Sequence, residues 1–153
     1  MTKKKSPISC DWTLKGRETS KENKSRLYKH KGSLKWQGIK VEKYKQSGKD
    51  WADIVRQTLI GNRGETCKFH LRYFKIASGG CSSFERHKHE HVVICVRGKG
   101  KVAVGTKSHV MNFMDTLYIS PSTPHQLRNP FKLPFGFFCI VNAKRDKPKI
   151  LIE

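Results

Sequence analysis

Between Gly79 and Gly98 the chain reads GGCSSFERHKHEHVVICVRG, placing His87, His89 and His91 beside Glu85 and Glu90 within a span bounded by glycine turns. Clustered imidazoles suit metal binding. A histidine nitrogen binds Zn, Fe, Ni or Mn at about 2.0–2.2 Å, and a carboxylate adds a harder anionic ligand that favours Fe or Mn. In a strand, side chains alternate faces and rise about 3.3 Å per residue. Glu85, His87, His89 and His91 therefore share one parity. A straight strand would spread Glu85 and His91 over roughly 20 Å, too far for one ion. The chain must bend, and Lys88-His89-Glu90 is the expected place.

A second group lies downstream in MDTLYISPSTPHQLRN, residues 114 to 129, where Pro121 and Pro124 punctuate a turn before His125 and Asn129 ends the segment. The two segments together resemble the paired motifs of the cupin superfamily. The first motif, G(X)5HXH(X)3–4E(X)6G, is matched in spacing by Gly79, position 85, His87, position 91 and Gly98. Glu85 stands at its first histidine and His91 at its glutamate, so two ligand types are exchanged while the inventory survives. The second motif, G(X)5PXG(X)2H(X)3N, keeps its terminal histidine and asparagine as His125 and Asn129. Met114, Ser120 and Ser122 replace its Gly, Pro and Gly. The resemblance covers about residues 70 to 143.

The resemblance implies one divalent transition metal (Fe, Mn, Ni or Zn) held by His87, His91 and His125, with Glu85 or His89 as the contested further ligand. In a rival register His87-Lys88-His89 forms the histidine pair, and the glutamate position falls on Val93 or Ile94, which cannot bind metal. The competing reading of HKHEH is a solvated turn without metal. The resemblance also implies an all-β, jelly-roll-like double-stranded barrel.

The elements that must position these residues are legible as strands. Thr66 to Ala77, His91 to Val96, Lys101 to Val104, Val110 to Phe113, Thr116 to Ile119, His125 to Arg128 and Phe135 to Val141 recur at short intervals with Gly, Pro and Ser between them, an all-β pattern. A jelly-roll-like barrel hides most edges of so many short strands. Upstream, residues 33 to 62 mix short alternating pieces with a turn at Gln46-Ser47-Gly48. Leading strands are expected there, with a helical turn over Asp50 to Leu59 as the alternative. Candidate pocket residues are Arg72, Tyr73, Phe74, Cys95 and Gln126. Arg72 and Phe74 share one strand face and Tyr73 the other, leaving open which face points inward. Cys95 shares the parity of His91, so it is either a substrate contact or a small core residue.

The chain has 153 residues and a formal net charge of +20, enough for one small barrel. Residues 1 to 26 hold eight basic residues against three acidic ones with few large apolar side chains. They read as a basic flexible arm, leaving 27 to 153 as a single domain. The excess charge is spread along the chain, since residues 1 to 50 carry 15 basic and 5 acidic side chains. No helix-turn-helix, zinc-finger or RNP-like pattern accompanies it, so the charge implies weak nonspecific polyanion binding at most. No apolar run reaches 18 residues, so no membrane span is expected, and the basic N-terminus lacks the apolar core of a secretory signal. Five cysteines without CxxC spacing fit a reducing cytoplasm.

Two classes of function remain. One is a mononuclear metal-dependent enzyme acting on a small molecule, its reaction (dioxygenase, decarboxylase, lyase or isomerase) unresolved by ligands and fold alone. The other is a noncatalytic small-ligand binding or sensing module with a polyanion-binding surface. A redox-active ion with exchangeable water separates the first from the second. Residues 33 to 62 also offer strands through which two copies could pair as a homodimer.

Overall fold

A computed structural model describes residues 25–152; the expected arm, residues 1–26, lies almost wholly outside them. Eleven strands and no helix occur among the described residues: β1 Glu42–Lys43, β2 Ala52–Ile60, β3 Phe69–Cys81, β4 Glu85–Arg86, β5 His91–Arg97, β6 Gly100–Val104, β7 Lys107–Met111, β8 Thr116–Ile119, β9 His125–Arg128, β10 Phe135–Asn142 and β11 Lys149–Ile150. The expected alternative of a helical turn over Asp50 to Leu59 is not what forms: Ala52–Ile60 is strand, with Ile54, Arg56 and Thr58 paired to β3.

All pairings are antiparallel. One layer runs β1-β2-β3-β10-β5-β8 and the other β7-β6-β9-β4-β11. The layers join where the end of the long β3 reaches β9, with Cys81 opposite Arg128. This is the double-stranded barrel, and inward residues of both layers meet in its core: Phe74, Ile76, Val93, Cys95, Val102, Leu127, Phe135, Phe137, Cys139 and Val141. Phe74 and Phe137 stack at 5.3 Å between ring centroids. Burying such side chains contributes about 1.5–3 kcal/mol each.

The layer junction is also where the two sequence motifs meet. Gly79 N–H donates to the Asn129 carbonyl at 2.8 Å, and Asn129 N–H to the Gly80 carbonyl at 2.9 Å. Gly79 has φ of +80° there, a left-handed turn that favours glycine. The Asn129 side chain, almost fully buried, donates through Nδ2 to the Ile76 and Leu133 carbonyls and accepts from Phe131 N–H. This motif asparagine closes the turn before β10.

Two coverings complete the barrel. The segment preceding β1 lays Trp36 on the outer face of the first layer, 5.4 Å from Tyr73 and 5.9 Å from Phe138 between centroids. At the other end of the chain, residues 143 to 152 form a strap. Its Lys149 and Ile150 pair with Arg86 and Glu85, and Leu151 N–H donates to the Phe84 carbonyl.

Candidate metal centre

The polar triplet breaks the strand as its composition demands. β4 ends at Arg86 and β5 begins at His91, so residues 87 to 90 leave extended pairing and fold His87 back toward His91. Asp146 of the strap holds this bend. Its carboxylate accepts from the backbone N–H of Lys88 at 2.8 Å and of His89 at 3.2 Å, and from His89 Nδ1 at 2.8 Å. Those bonds pull the Asp146 carboxyl well below the usual carboxylate range.

His87, His91 and His125 converge, with one ligand nitrogen from each lying within 4.8 Å of the others. All three are buried. Their ring centroids are 4.5 Å apart for His87 and His91, 4.8 Å for His87 and His125, and 5.3 Å for His91 and His125. The tautomers follow from the neighbours. His87 Nδ1 lies 2.7 Å from the His89 carbonyl, and His125 Nδ1 lies 2.9 Å from the Thr123 carbonyl. A carbonyl only accepts, so each Nδ1 carries the proton and each Nε2 presents its lone pair, the arrangement that orients metal-binding histidines. His91 Nδ1 lies 3.5 Å from Cys139 Sγ.

The donor set fits a metal ion by a physical test. Nε2 of His87 and Nε2 of His91 are buried and, among the described residues, have no hydrogen-bond partner. Unsatisfied buried nitrogens are costly unless something fills them. Electrostatics agrees: burial, then the neighbouring His125 and His87, push the His91 pKa down to about 2. Burial likewise lowers His87 and His125. Neutral imidazole is the form that binds metal.

The contested ligands lie close by. His89 stacks on His87 at 3.6 Å and 5° and is tied to Asp146. Glu85 pairs directly opposite His125 in the β4–β9 register, and its Oε2 accepts from Lys45 Nζ at 2.9 Å. Neither belongs to the converging triad.

The triad opens through His91 and His125 onto a cavity of about 260 Å³ inside the barrel. Of the expected pocket residues, Arg72 and Phe74 line it, together with Glu85 and His89. Tyr73, Cys95 and Gln126 do not. Tyr73 has the opposite strand parity and packs against Trp36 and Phe138 on the outer face. Cys95 is fully buried in the core with its Sγ directed at the Arg97 and Gly98 carbonyls. Gln126 points away from His125 along β9 and donates from Nε2 to the Ser82 carbonyl.

The cavity also draws on residues the sequence did not single out: Lys45, Arg56, Cys139, Arg145 and Asp146. Arg56 and Cys139 carried a signal, because each shares the parity of core residues in its strand, Ile54 for Arg56 and Phe137 for Cys139. Lys45 and the strap residues lie in irregular segments, where no periodicity announces a direction.

Comparison with known proteins agrees with this geometry. Residues 72–141 match the cupin domain family model. The chain is 37% identical over 120 residues to the 1-methylthio-D-xylulose 5-phosphate methylsulfurylase of Rhodospirillum rubrum, covering 78% of this chain and 76% of that enzyme. A cupin 2 conserved barrel domain protein from Rhodopseudomonas palustris superposes with a TM-score of 0.76 at 34% identity, covering 83% of this chain and 87% of that one. A cupin-2 domain protein from Rhodospirillum rubrum gives 0.72 at 33% identity, over 83% and 84%. With its barrel, its paired motifs and these relatives, the chain belongs to the cupin superfamily.

Proposed function

We propose that this protein is a metal-dependent cupin enzyme whose substrate is a small methylthio-sugar phosphate or a close analogue of one. The observation that carries the reading is the pairing, at one cavity, of a neutral three-histidine cluster with basic side chains from Lys45, Arg56, Arg72 and Arg145. The named activity of the Rhodospirillum rubrum relative supplies the substrate class. A cavity of about 260 Å³ suits a small metabolite.

The residues divide the work. His87, His91 and His125 would hold a divalent ion, which when bound polarises a substrate oxygen as a Lewis acid. The Nδ1 bonds to fixed carbonyls keep the His87 and His125 rings from rotating, so the donor geometry is preorganised. Lys45 Nζ, 2.6 Å from Ser83 Oγ and 2.9 Å from Glu85 Oε2, holds a proton at the cavity wall where a developing negative charge would draw it. Phe74, Val93, Leu127 and Phe137 give the cavity an apolar side that accommodates a thioether and excludes water.

The test is elemental analysis of untagged protein followed by incubation with 1-methylthio-xylulose 5-phosphate and excess thiol, monitored by NMR. One ion per chain is expected, with the substrate's methylthio signal replaced by that of the thiol's methyl disulfide as the sugar carbon takes the thiol's hydrogen, and the His87/His91/His125 triple alanine variant should show neither. Protein that retains its metal and binds the compound without consuming it would instead be a binding module, and the enzyme reading would fall.

A further inference from the structure

The histidines account for one end of the cavity, while the wall formed by β2, β3 and the strap carries chemistry they do not use. In the β2–β3 register Arg56 lies opposite Phe74 and Arg72 opposite Thr58, so the two arginines are diagonal neighbours on the cavity side of the sheet. Arg145 reaches the same cavity from the strap. Although the residue as a whole is exposed, partial desolvation of its guanidinium at the cavity mouth, then repulsion from Arg72 and more weakly from Arg56, lowers the Arg145 pKa, as expected of three guanidiniums that line one cavity.

These charges are poorly compensated. Among the described residues no carboxylate lies within ion-pair distance of Arg72 or Arg145, and Arg56 has Glu42 at 3.4 Å. The acids of the cavity are engaged elsewhere: Glu85 with Lys45, and Asp146 with the bend at residues 88 and 89. Arg72 Nη2 lies 3.5 Å from Cys139 Sγ, and the Arg72 guanidinium lies over the Phe74 ring at 5.1 Å. Arg145 Nη1 donates to the Asn142 carbonyl at 2.7 Å and lies 3.1 Å from His70 Nδ1. The Nε atoms of Arg56 and Arg72 are buried without a partner among the described residues. Gathering cations with unfilled donors is unfavourable in the empty protein and favourable when an anion with several acceptor oxygens enters.

We propose that Arg56, Arg72 and Arg145 form an anion subsite that takes the phosphate monoester of the substrate, joining the barrel wall to the C-terminal strap. A phosphate dianion matches the planar forks of several guanidiniums better than a single carboxylate does. Because Arg145 is on the strap and the other two are on the barrel, a bound phosphate ties residues 143 to 152 over the cavity. The identity of the anion as a substrate phosphate rests on the sugar-phosphate substrate class proposed above, and not on the metal.

Inorganic phosphate is the probe, titrated into the full chain at constant ionic strength so that the general basic surface is screened equally throughout. Thermal unfolding and hydrogen exchange of residues 143 to 152 are the readouts, with metal content measured on every sample. Saturable stabilisation and slowed exchange are expected for the wild type. R72Q and R145Q should each weaken the apparent affinity at least tenfold, while K101Q, on an exposed position of β6, should match the wild type. Arg145 is exposed, so R145Q keeps the test valid if R72Q folds poorly. Equal stabilisation of all four proteins, or none of the wild type, overturns the subsite. Loss of metal with an intact phosphate response would remove the metal reading and leave the subsite standing.

Discussion

The Lys45 ammonium lies 2.9 Å from Oε2 of Glu85, the residue that occupies a histidine position of the first cupin motif. Glu85 is buried, so its charge requires this partner. The pair gives Glu85 two possible duties, as an outer ligand beside His125 and as the acceptor that positions the Lys45 proton.

Replacing Glu85 separates the contested ligands. Glu85→Ala is expected to weaken metal retention about tenfold, the scale of a lost orienting group, and more than His89→Ala does. His89 already commits Nδ1 to Asp146 and stacks flat on His87. Metal titrations of the two variants check this, and the reverse order would move coordination to His89.

Single replacements within the triad should be more severe. His87→Ala, His91→Ala and His125→Ala each remove one of three converging nitrogens. Each variant should emerge from purification with most of its metal gone. Elemental analysis decides, and undiminished content in any one of them excludes that residue from the site.

The metal-free protein should lose stability as pH falls below about 6.5. Burial lowers the pKa of His87, His91 and His125 from an ordinary 6.5, with His91 at about 2. Above pH 6.5 both folded and unfolded chains hold these rings neutral. Below it the unfolded chain takes up protons that the fold refuses, so the unfolded state gains. Denaturant midpoints of chelator-treated protein should therefore decline from pH 7 to pH 5, and the triple alanine variant should show a flatter profile.

Asn129→Ala should destabilise the fold by about 2 kcal/mol, because it removes the donor to the buried Ile76 carbonyl and to the partly buried Leu133 carbonyl. The loss belongs to architecture. Refolded variant protein should still bind its ion, and chemical denaturation with metal analysis separates the two effects.

Truncation locates the edge of the domain. Removing residues 1 to 26 keeps Tyr28, whose hydroxyl donates to Glu65 and accepts from Arg63. It should preserve metal content and melting behaviour while weakening heparin binding, since five net positive charges leave with it. Truncation through residue 36 removes Trp36 from Tyr73 and should lower the melting temperature. Unfolding of the shorter truncation would make the arm an integral part of the domain.

The motif spacing by itself determined the barrel and picked out the three histidines that converge in it, because strand period and turn chemistry are local properties. Thr116–Ile119 and His125–Arg128 appear with the boundaries the sequence implies. The need for a bend before His91 likewise followed from strand rise alone, and β4 and β5 are broken there. Direction was different. A strand alternates two faces but does not say which is inside, and only packing against Trp36 turned Tyr73 outward and left Arg72 and Phe74 to the cavity. Lys45, Arg145 and Asp146 were beyond reach for a related reason. They sit in irregular segments far in sequence from the histidines, so long-range closure of the strap and the β1–β2 connection alone brings their charges to the site.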